Sequence, residues 1–196
     1  HAAAQDAVFN EFPKEFLEER GILELQSRCD SKDTYLTRPD LGRRLNAESV
    51  EKLKNFYKKS PTCVVFAADG LSGTAIEANY DIVIPALMNG LKAHGIDVGE
   101  PFFVRYGRVA VQDEVSEITG CDVCVCLIGE RPGLATAKSM SAYITYKGTI
   151  GMSEARRTVV SNIHNAGTPA AEAGAHIADI VDIMLKEKAS GTDLKL

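Results

Sequence analysis

The sequence predicts an α/β fold: a Rossmann-like three-layer domain with a mainly parallel sheet and a small helical N-terminal extension. From about residue 60, short apolar segments alternate with longer segments of helical periodicity, which is the pattern of a parallel sheet covered by helices on both faces. Residues 121–128 are almost wholly apolar, as a strand buried between two helical layers requires. We therefore divide the chain into an extension, residues 1–60, and an α/β domain, residues 61–196.

The extension is expected to be helical. Residues 6–28 carry spaced apolar side chains interrupted by Pro13 and Gly21, which predicts short helices packed on a larger body. A further helix is expected from Asn46, as N-cap, to Lys59.

The most basic part of the chain lies in residues 37–45, which contain Arg38, Arg43 and Arg44. Two interpretations are open. The cluster is either a solvated linker or a polar anchor for a partner subunit or a phosphate.

The elements of the α/β domain are predicted in chain order from apolar runs and helical spacing. Strands are expected at residues 63–68, 101–106, 121–128 and 142–147. Helices are expected from a capping box at Thr74 and Glu77 to Gly95, from Val109 to Ile118 with Gly120 behind it, and from Thr168 as N-cap to Gly191. Residues 156–164 are also interpreted as helical.

The composition favours a soluble protein with no nucleic-acid or membrane partner. The 196 residues are 45% hydrophobic and 25% charged, as in ordinary globular proteins. The net charge of -5 argues against binding to a nucleic-acid backbone or to an anionic membrane. No apolar segment approaches the roughly 20 residues that cross a bilayer, and no signal peptide is recognisable. A cytoplasmic location is expected.

The five cysteines are interpreted as reduced thiols. Three of them lie within residues 121–126 on one expected strand, and Cys121 and Cys124 have the C-x-x-C spacing of a zinc or redox motif. A redox pair requires a turn, and a zinc site also requires further ligands nearby, whereas these cysteines alternate with apolar residues. Packing in the core is the preferred interpretation.

Motifs of common enzyme classes are missing. Neither the G-x-G-x-x-G pattern nor the P-loop pattern occurs, so a nucleotide function would rest on fold analogy alone. Asp69, Ser161 and His164 are the residue types of a hydrolase triad, but no G-x-S-x-G elbow accompanies them. His176 and Asp179 share a helix face without a third metal ligand. We predict no catalytic residue and no metal ligand.

A binding loop is expected directly after residues 121–128. It contains Gly129, Glu130, Arg131, Pro132 and Gly133. Ligands of parallel sheets bind beyond the carboxyl ends of the strands. The glycines would allow close approach of a ligand, and the proline restricts the turn. The sequence therefore predicts a stiff, preformed loop that places Glu130 and Arg131 at the carboxyl end of the strand.

His164 lies in a short sequence related to a cobalt-binding motif. Residues 162–167 resemble the Asp-x-His-x-x-Gly motif of one class of cobalamin-binding modules, in which the histidine binds cobalt and the aspartate raises the basicity of its imidazole. Asn162 replaces that aspartate, and the other elements of the class are missing. We interpret His164 as a cap at the C-terminal end of a helix and not as a cobalt ligand.

Five motifs in fixed order carry a more specific resemblance. They are residues 37–45, 68–72, 107–113, 128–134 and 157–164, followed by Gly167-Thr-Pro169 and Glu172-Ala173. Together they resemble the small (light) subunit of ethanolamine ammonia-lyase from about residue 35 to the end. The resemblance implies an adenosylcobalamin-dependent conversion of ethanolamine to acetaldehyde and ammonia. It also implies a large TIM-barrel partner subunit that holds the radical chemistry, and base-on cobalamin at the subunit interface.

The resemblance also implies site residues. The family's cobalamin contacts fall on Val109, on Glu130 and on Val159, where the family often has cysteine. Arg108 and Arg131 are secondary candidates, for which surface ion pairs are the alternative interpretation. Location in a bacterial microcompartment is a family expectation. The alternative function is a stand-alone corrinoid-binding or scaffold module without a catalytic partner.

Overall fold

The structure is a computed structural model that describes residues 10–131, 136 and 138–195. It confirms the α/β class, with six strands in one sheet of spatial order β1-β3-β2-β4-β5-β6. The strands are β1 Leu23–Gln26, β2 Cys63–Ala68, β3 Phe102–Arg105, β4 Val123–Gly129, β5 Met140–Tyr146 and β6 Arg157–Ile163.

Seven α-helices surround the sheet in the described part of the chain. They are α1 Lys14–Arg20, α2 Lys32–Thr37, α3 Pro39–Gly42, α4 Ala47–Lys54, α5 Gly73–Ala93, α6 Val111–Thr119 and α7 Ala170–Glu187. None of these helices is both long and apolar enough to cross a membrane.

The sheet is mixed. Strands β1, β3, β2 and β4 pair in parallel, whereas β5 is antiparallel to both β4 and β6. The expectation of a mainly parallel sheet therefore describes only one side of it. The reason is the length of the connections. Parallel neighbours need a crossover of about a dozen residues or more, usually a helix, whereas the links on either side of β5, residues 130–139 and 147–156, are shorter and suit antiparallel pairing.

Two apolar cores lie on opposite faces of the sheet. Along β2, Val65 and Ala67 face the core beneath α5 and α7, whereas Val64 and Phe66 face the core beneath α4 and α6. All six residues of β2 and all seven of β4 are buried. This confirms the prediction for both segments and gives the domain three layers.

The extension is not wholly helical. The predicted helical segment around residues 22–25 is strand β1, which pairs with β3 at one edge of the sheet. Gly21 ends α1 with a φ of 63°, so the chain leaves the helix and enters the sheet. The division at residue 60 stays a prediction, but β1 belongs to the sheet. The helix that begins at Asn46 ends at Lys54, earlier than expected.

Residues 156–164 were predicted helical, and this was wrong. They contain strand β6, whose burial pattern is that of an exposed edge. Several β-branched residues favour this extended conformation, and pairing with β5 decides it.

The boundaries of three further helices also differ from the prediction. The N-cap of α5 is Ser72, whose hydroxyl accepts from the amide of Ala75, in place of a cap at Thr74. Helix α6 begins at Val111, two residues later than expected, and Gly120 closes it as predicted. Helix α7 begins after Pro169 without a side-chain cap and ends at Glu187, because Lys188 adopts a φ of 55°.

Candidate functional site at the carboxyl end of the parallel strands

The turn after β2 and the end of β4 are in close contact at two glycines, Gly70 and Gly129. The amide of Leu71 donates to the carbonyl of Gly129 at 3.1 Å. A Cβ at Gly129 would overlap the carbonyl oxygen of Ser72, and a Cβ at Gly70 would lie 2.5 Å from Cγ1 of Ile128. Gly129 is therefore required for contact with the chain's own backbone, which corrects the expectation that it makes room for a ligand. Pro132 and Gly133 lie outside the described residues.

A groove of about 160 Å³ opens beside these turns. Its lining residues are Tyr35, Leu71, Arg108, Val109, Ile128, Gly129, Glu130 and Tyr143. Three of the five predicted site residues, Arg108, Val109 and Glu130, thus meet in one place although they follow different strands. Its lining is polar and apolar in about equal parts, and it includes one carboxylate and one guanidinium.

Arg108 holds the extension against the groove. Its backbone amide donates to the carbonyl of Gly42 at 2.9 Å, and its Nη2 donates to the carbonyl of Tyr35 at 2.6 Å. The guanidinium carbon lies 4.5 Å from the centre of the Tyr35 ring, which adds a cation–π contact. The surface ion pair considered for Arg108 is not formed within the described residues. Arg108 instead fixes Tyr35 as one wall.

Glu130 is fixed at its backbone and at its side chain. Its amide donates to the carbonyl of Ser139 at 3.0 Å, and its Oε1 accepts from the hydroxyl of Tyr143 at 3.3 Å. Burial, assisted by the neighbouring carboxylate, raises the pKa of Tyr143 to about 12. The phenol is therefore a neutral hydrogen-bond donor at physiological pH.

Val159 lies next to the groove. In the β5–β6 ladder it is directly opposite Tyr143, so the two side chains share a face of the sheet. Val159 is 48% exposed, which is high for an apolar side chain on a strand. Val159 extends the apolar surface outward, beyond the phenol ring of Tyr143. Arg131, the last of the five predicted site residues, is also exposed and does not line the groove.

His164 follows β6 in a turn, so the predicted helix-capping role is wrong. Its Nδ1 lies 3.2 Å from the amide of Ala166 and accepts from it, which requires the ring proton to be on Nε2. Nε2 then donates to Oδ1 of Asn162 at 2.7 Å. Both ring nitrogens are engaged. Over the part of the chain that the structure describes, no group of three His, Cys, Asp or Glu side chains is placed to hold a metal ion.

A buried ion pair between Lys32 and Asp69 lies at the same carboxyl end of the parallel strands. Nζ of Lys32 donates to the carbonyl of Gly70 at 2.7 Å and lies 3.4 Å from Oδ2 of Asp69. Oδ1 of Asp69 accepts from the amide of Tyr106 at 2.8 Å. Burial raises the pKa of Asp69 although Lys32 opposes this effect. With this partner, Asp69 is not part of a hydrolase triad.

Two arginines of the basic cluster and the five cysteines have structural roles. Arg38 pairs with Asp40 at 2.9 Å, and Arg44 reaches Glu114 on α6 at 2.8 Å, so two members of the basic cluster bind the chain itself. The five cysteines are buried and free, as predicted. Hydrogen bonding to Cys124 lowers the pKa of Cys121, while burial raises the pKa of Cys124. Both thiols stay within the core.

Sequence reasoning missed Tyr35 and Tyr143. Tyr143 had a detectable signal, because the alternation of residues 142–147 places it on one face of a strand. Tyr35 had none, since its contact with Arg108 spans 73 positions.

Fold and groove together define a class: a small mixed α/β chain with a shallow binding surface, partly apolar and partly polar, at the carboxyl end of its parallel strands, and with no assembled hydrolytic triad among its described residues. The model of the family described as ethanolamine ammonia-lyase light chain (EutC) matches residues 1–195. The chain belongs to this family. The match includes the residues before 35, which the motifs had not covered.

Curated relatives agree with this assignment. The ethanolamine ammonia-lyase small subunit of Fusobacterium nucleatum subsp. nucleatum is 62% identical over 196 residues, which are 100% of this chain and 66% of the relative. The protein of the same name from Clostridium tetani is 58% identical over the same shares of both chains. That of Clostridium perfringens is 52% identical over 195 residues, again 100% and 66%. The chain thus spans just under two thirds of the length of these relatives.

Proposed function

We propose that this chain serves as the small subunit of an adenosylcobalamin-dependent ethanolamine ammonia-lyase and completes the cobalamin site on a large catalytic subunit. The reaction would convert ethanolamine to acetaldehyde and ammonia. This chain would contribute binding surface and no catalytic residue.

One observation carries the proposal. Val109 and Glu130, which the family resemblance selects from two separate motifs, line the same groove. Val159, from a third motif, is paired with Tyr143 at the rim of that groove. Family membership was established from the whole chain and does not by itself require these positions to meet.

The residues fit the chemistry of a corrinoid. A corrin has an apolar ring rimmed by amide side chains, which suit the aliphatic surfaces of Val109, Leu71 and Ile128 and one carboxylate acceptor on Glu130. Arg108 already binds Tyr35, and Arg131 does not line the groove, so we assign both a supporting role in cobalamin binding.

The size of the groove favours a shared site. Its volume of about 160 Å³ is well below the roughly 300–1,000 Å³ of pockets that enclose small ligands. A cobalamin resting here would be covered on one side only. The remaining walls would come from the large subunit, which supports an interface location over a stand-alone corrinoid-binding module.

Bound adenosylcobalamin would supply a cobalt–carbon bond that breaks homolytically. The residues of this chain would orient the cofactor and exclude water from one of its sides. The engagement of both nitrogens of His164 supports a base-on cofactor that keeps its own dimethylbenzimidazole on cobalt. We also propose that the parallel half of the sheet is Rossmann-like and that the enzyme resides in a bacterial microcompartment, as the family resemblance suggests.

Reconstitution tests the proposed function. The chain is purified alone and together with the large subunit, and ethanolamine deamination is measured with adenosylcobalamin. We expect co-purification of the two subunits and activity only in the mixture. Deamination by the isolated chain, or full activity of the large subunit without it, would contradict the proposal.

A further inference from the structure

We infer that Tyr143 is a positioning residue: its hydroxyl fixes Oε1 of Glu130 and thereby sets the orientation in which this carboxylate meets the ligand of the groove. This inference rests on the proposed function, since it concerns the same site. It adds a residue that the family motifs do not contain.

The geometry gives Tyr143 a rigid base. It lies in the middle of β5, opposite Cys126 on β4 and opposite Val159 on β6, so both neighbouring strands hold its backbone. Its ring packs against the core on the α6 side. Its hydroxyl reaches Glu130 across 13 positions of sequence. The donor therefore comes from the sheet, whereas Glu130 stands just beyond the end of β4.

Glu130 needs such a restraint. A glutamate loses much rotamer freedom when it becomes ordered, and a restraint present before binding removes part of that cost. The bond from the amide of Glu130 to Ser139 fixes only the backbone. Among the described residues, Tyr143 is the one that donates a hydrogen bond to the carboxylate.

A phenol suits this task better than a cation. A single hydroxyl occupies one of about four lone-pair sites of a carboxylate and leaves its negative charge in place. A neighbouring arginine would neutralise the carboxylate and compete with an amide of the ligand. Burial and the carboxylate keep Tyr143 protonated through the physiological range.

A double-mutant cycle tests the inference. The complex of this chain with the large subunit is titrated with cyanocobalamin, and bound cobalamin is measured by equilibrium dialysis. The variants are Tyr143→Phe, Glu130→Ala and the double variant. Tyr146→Phe is the matched control, because Tyr146 lies on the same strand but packs against the opposite core.

We expect Tyr143→Phe to raise the Kd for cyanocobalamin about threefold to tenfold, because the Glu130 side chain would then have to be ordered when the ligand binds. The double variant should bind no more weakly than Glu130→Ala alone, because the hydroxyl would act only through that carboxylate. Tyr146→Phe should bind normally.

The outcomes separate the two proposals. If Glu130→Ala weakens binding but Tyr143→Phe leaves it unchanged, or if their effects add, the positioning role is overturned while the proposed cobalamin site stands. If Glu130→Ala itself binds cyanocobalamin as the wild-type complex does, the assignment of the groove as the cobalamin site fails.

Discussion

Arg157 at the start of β6 forms a two-pronged ion pair with Asp113 in α6, with nitrogen–oxygen distances of 2.9 and 2.8 Å. The Arg157 side chain is 1% exposed and the Asp113 side chain 4% exposed. Burial opposes the charge of Arg157, but its hydrogen bonds to Asp113 and Glu154 raise its pKa. This pair fastens the edge strand that carries Val159 to the helix beside the groove.

Removal of one partner should be costly. Arg157→Met leaves Asp113 buried without its cation, and we expect the free energy of unfolding to fall by about 3–5 kcal/mol. Urea denaturation measures this change. Arg156→Met is the control, because Arg156 is half-exposed and only 3.7 Å from Asp193, and its effect should be about 0.5 kcal/mol or less. Equal urea midpoints for Arg157→Met and wild type would contradict the importance of the pair.

Removal of the Lys32 cation should make the free energy of unfolding depend more strongly on pH. In Lys32→Met no cation opposes the burial of Asp69, so the pKa of Asp69 rises further. Because the folded state then holds a proton that the unfolded state releases, stability is full below the ordinary pKa of Asp, about 3.9, and is lost as pH rises through the raised folded value. At neutral pH we expect a loss of about 3–5 kcal/mol.

Unfolding in urea from pH 4 to pH 8 measures this dependence. The double variant Lys32→Met/Asp69→Asn should lack the added slope, since no carboxyl remains to titrate. Lys54→Met, which removes an exposed lysine, is the control. If Lys32→Met lowers the free energy of unfolding equally at every pH, Lys32 does not influence the pKa of Asp69.

Val159 should matter for cobalamin and little for folding. Val159→Asp alters an exposed side chain, so the free energy of unfolding should change by about 0.5 kcal/mol or less. In the complex with the large subunit, a charge beside the apolar rim should weaken cyanocobalamin binding at least about tenfold. Ile82→Asp on α5, where Ile82 is 50% exposed, is the control and should bind normally. Equal affinities of the two variants would remove Val159 from the site.

Electron paramagnetic resonance can identify the axial ligand of cobalt. With cob(II)alamin labelled with nitrogen-15 in its dimethylbenzimidazole, we expect the superhyperfine splitting to change with the label, because His164 is engaged by Asn162 and Ala166. The spectrum of His164→Ala should be the same. A splitting that ignores the label and disappears in His164→Ala would make this histidine the ligand.

The contrast between central and edge strands explains which parts of the fold were predictable. Strands β2 and β4 are buried on both faces, so a continuous apolar run identifies them. Strands β1 and β6 lie at the edges and carry mixed sequences, and only their pairing with distant segments makes them strands. Both were therefore mistaken for helix. The antiparallel placement of β5 likewise depends on its short connections.

The candidate site divides in the same way. Val109 and Glu130 belong to local motifs, so the sequence identified them before the groove was known. The bond from Tyr143 to Glu130 and the bond from Arg108 to Tyr35 depend on packing between segments distant in sequence, and no local pattern encodes them.

Cobalamin affinity of the Glu130→Ala complex tests the central claim most directly. Cyanocobalamin is titrated into the complex of this chain with the large subunit, wild type and variant. Loss of one hydrogen bond to a charged group costs about 1.5–3 kcal/mol, so we predict that the Kd rises about 10-fold to 150-fold. The same Kd for both complexes would contradict the claim that this groove is a wall of the cobalamin site.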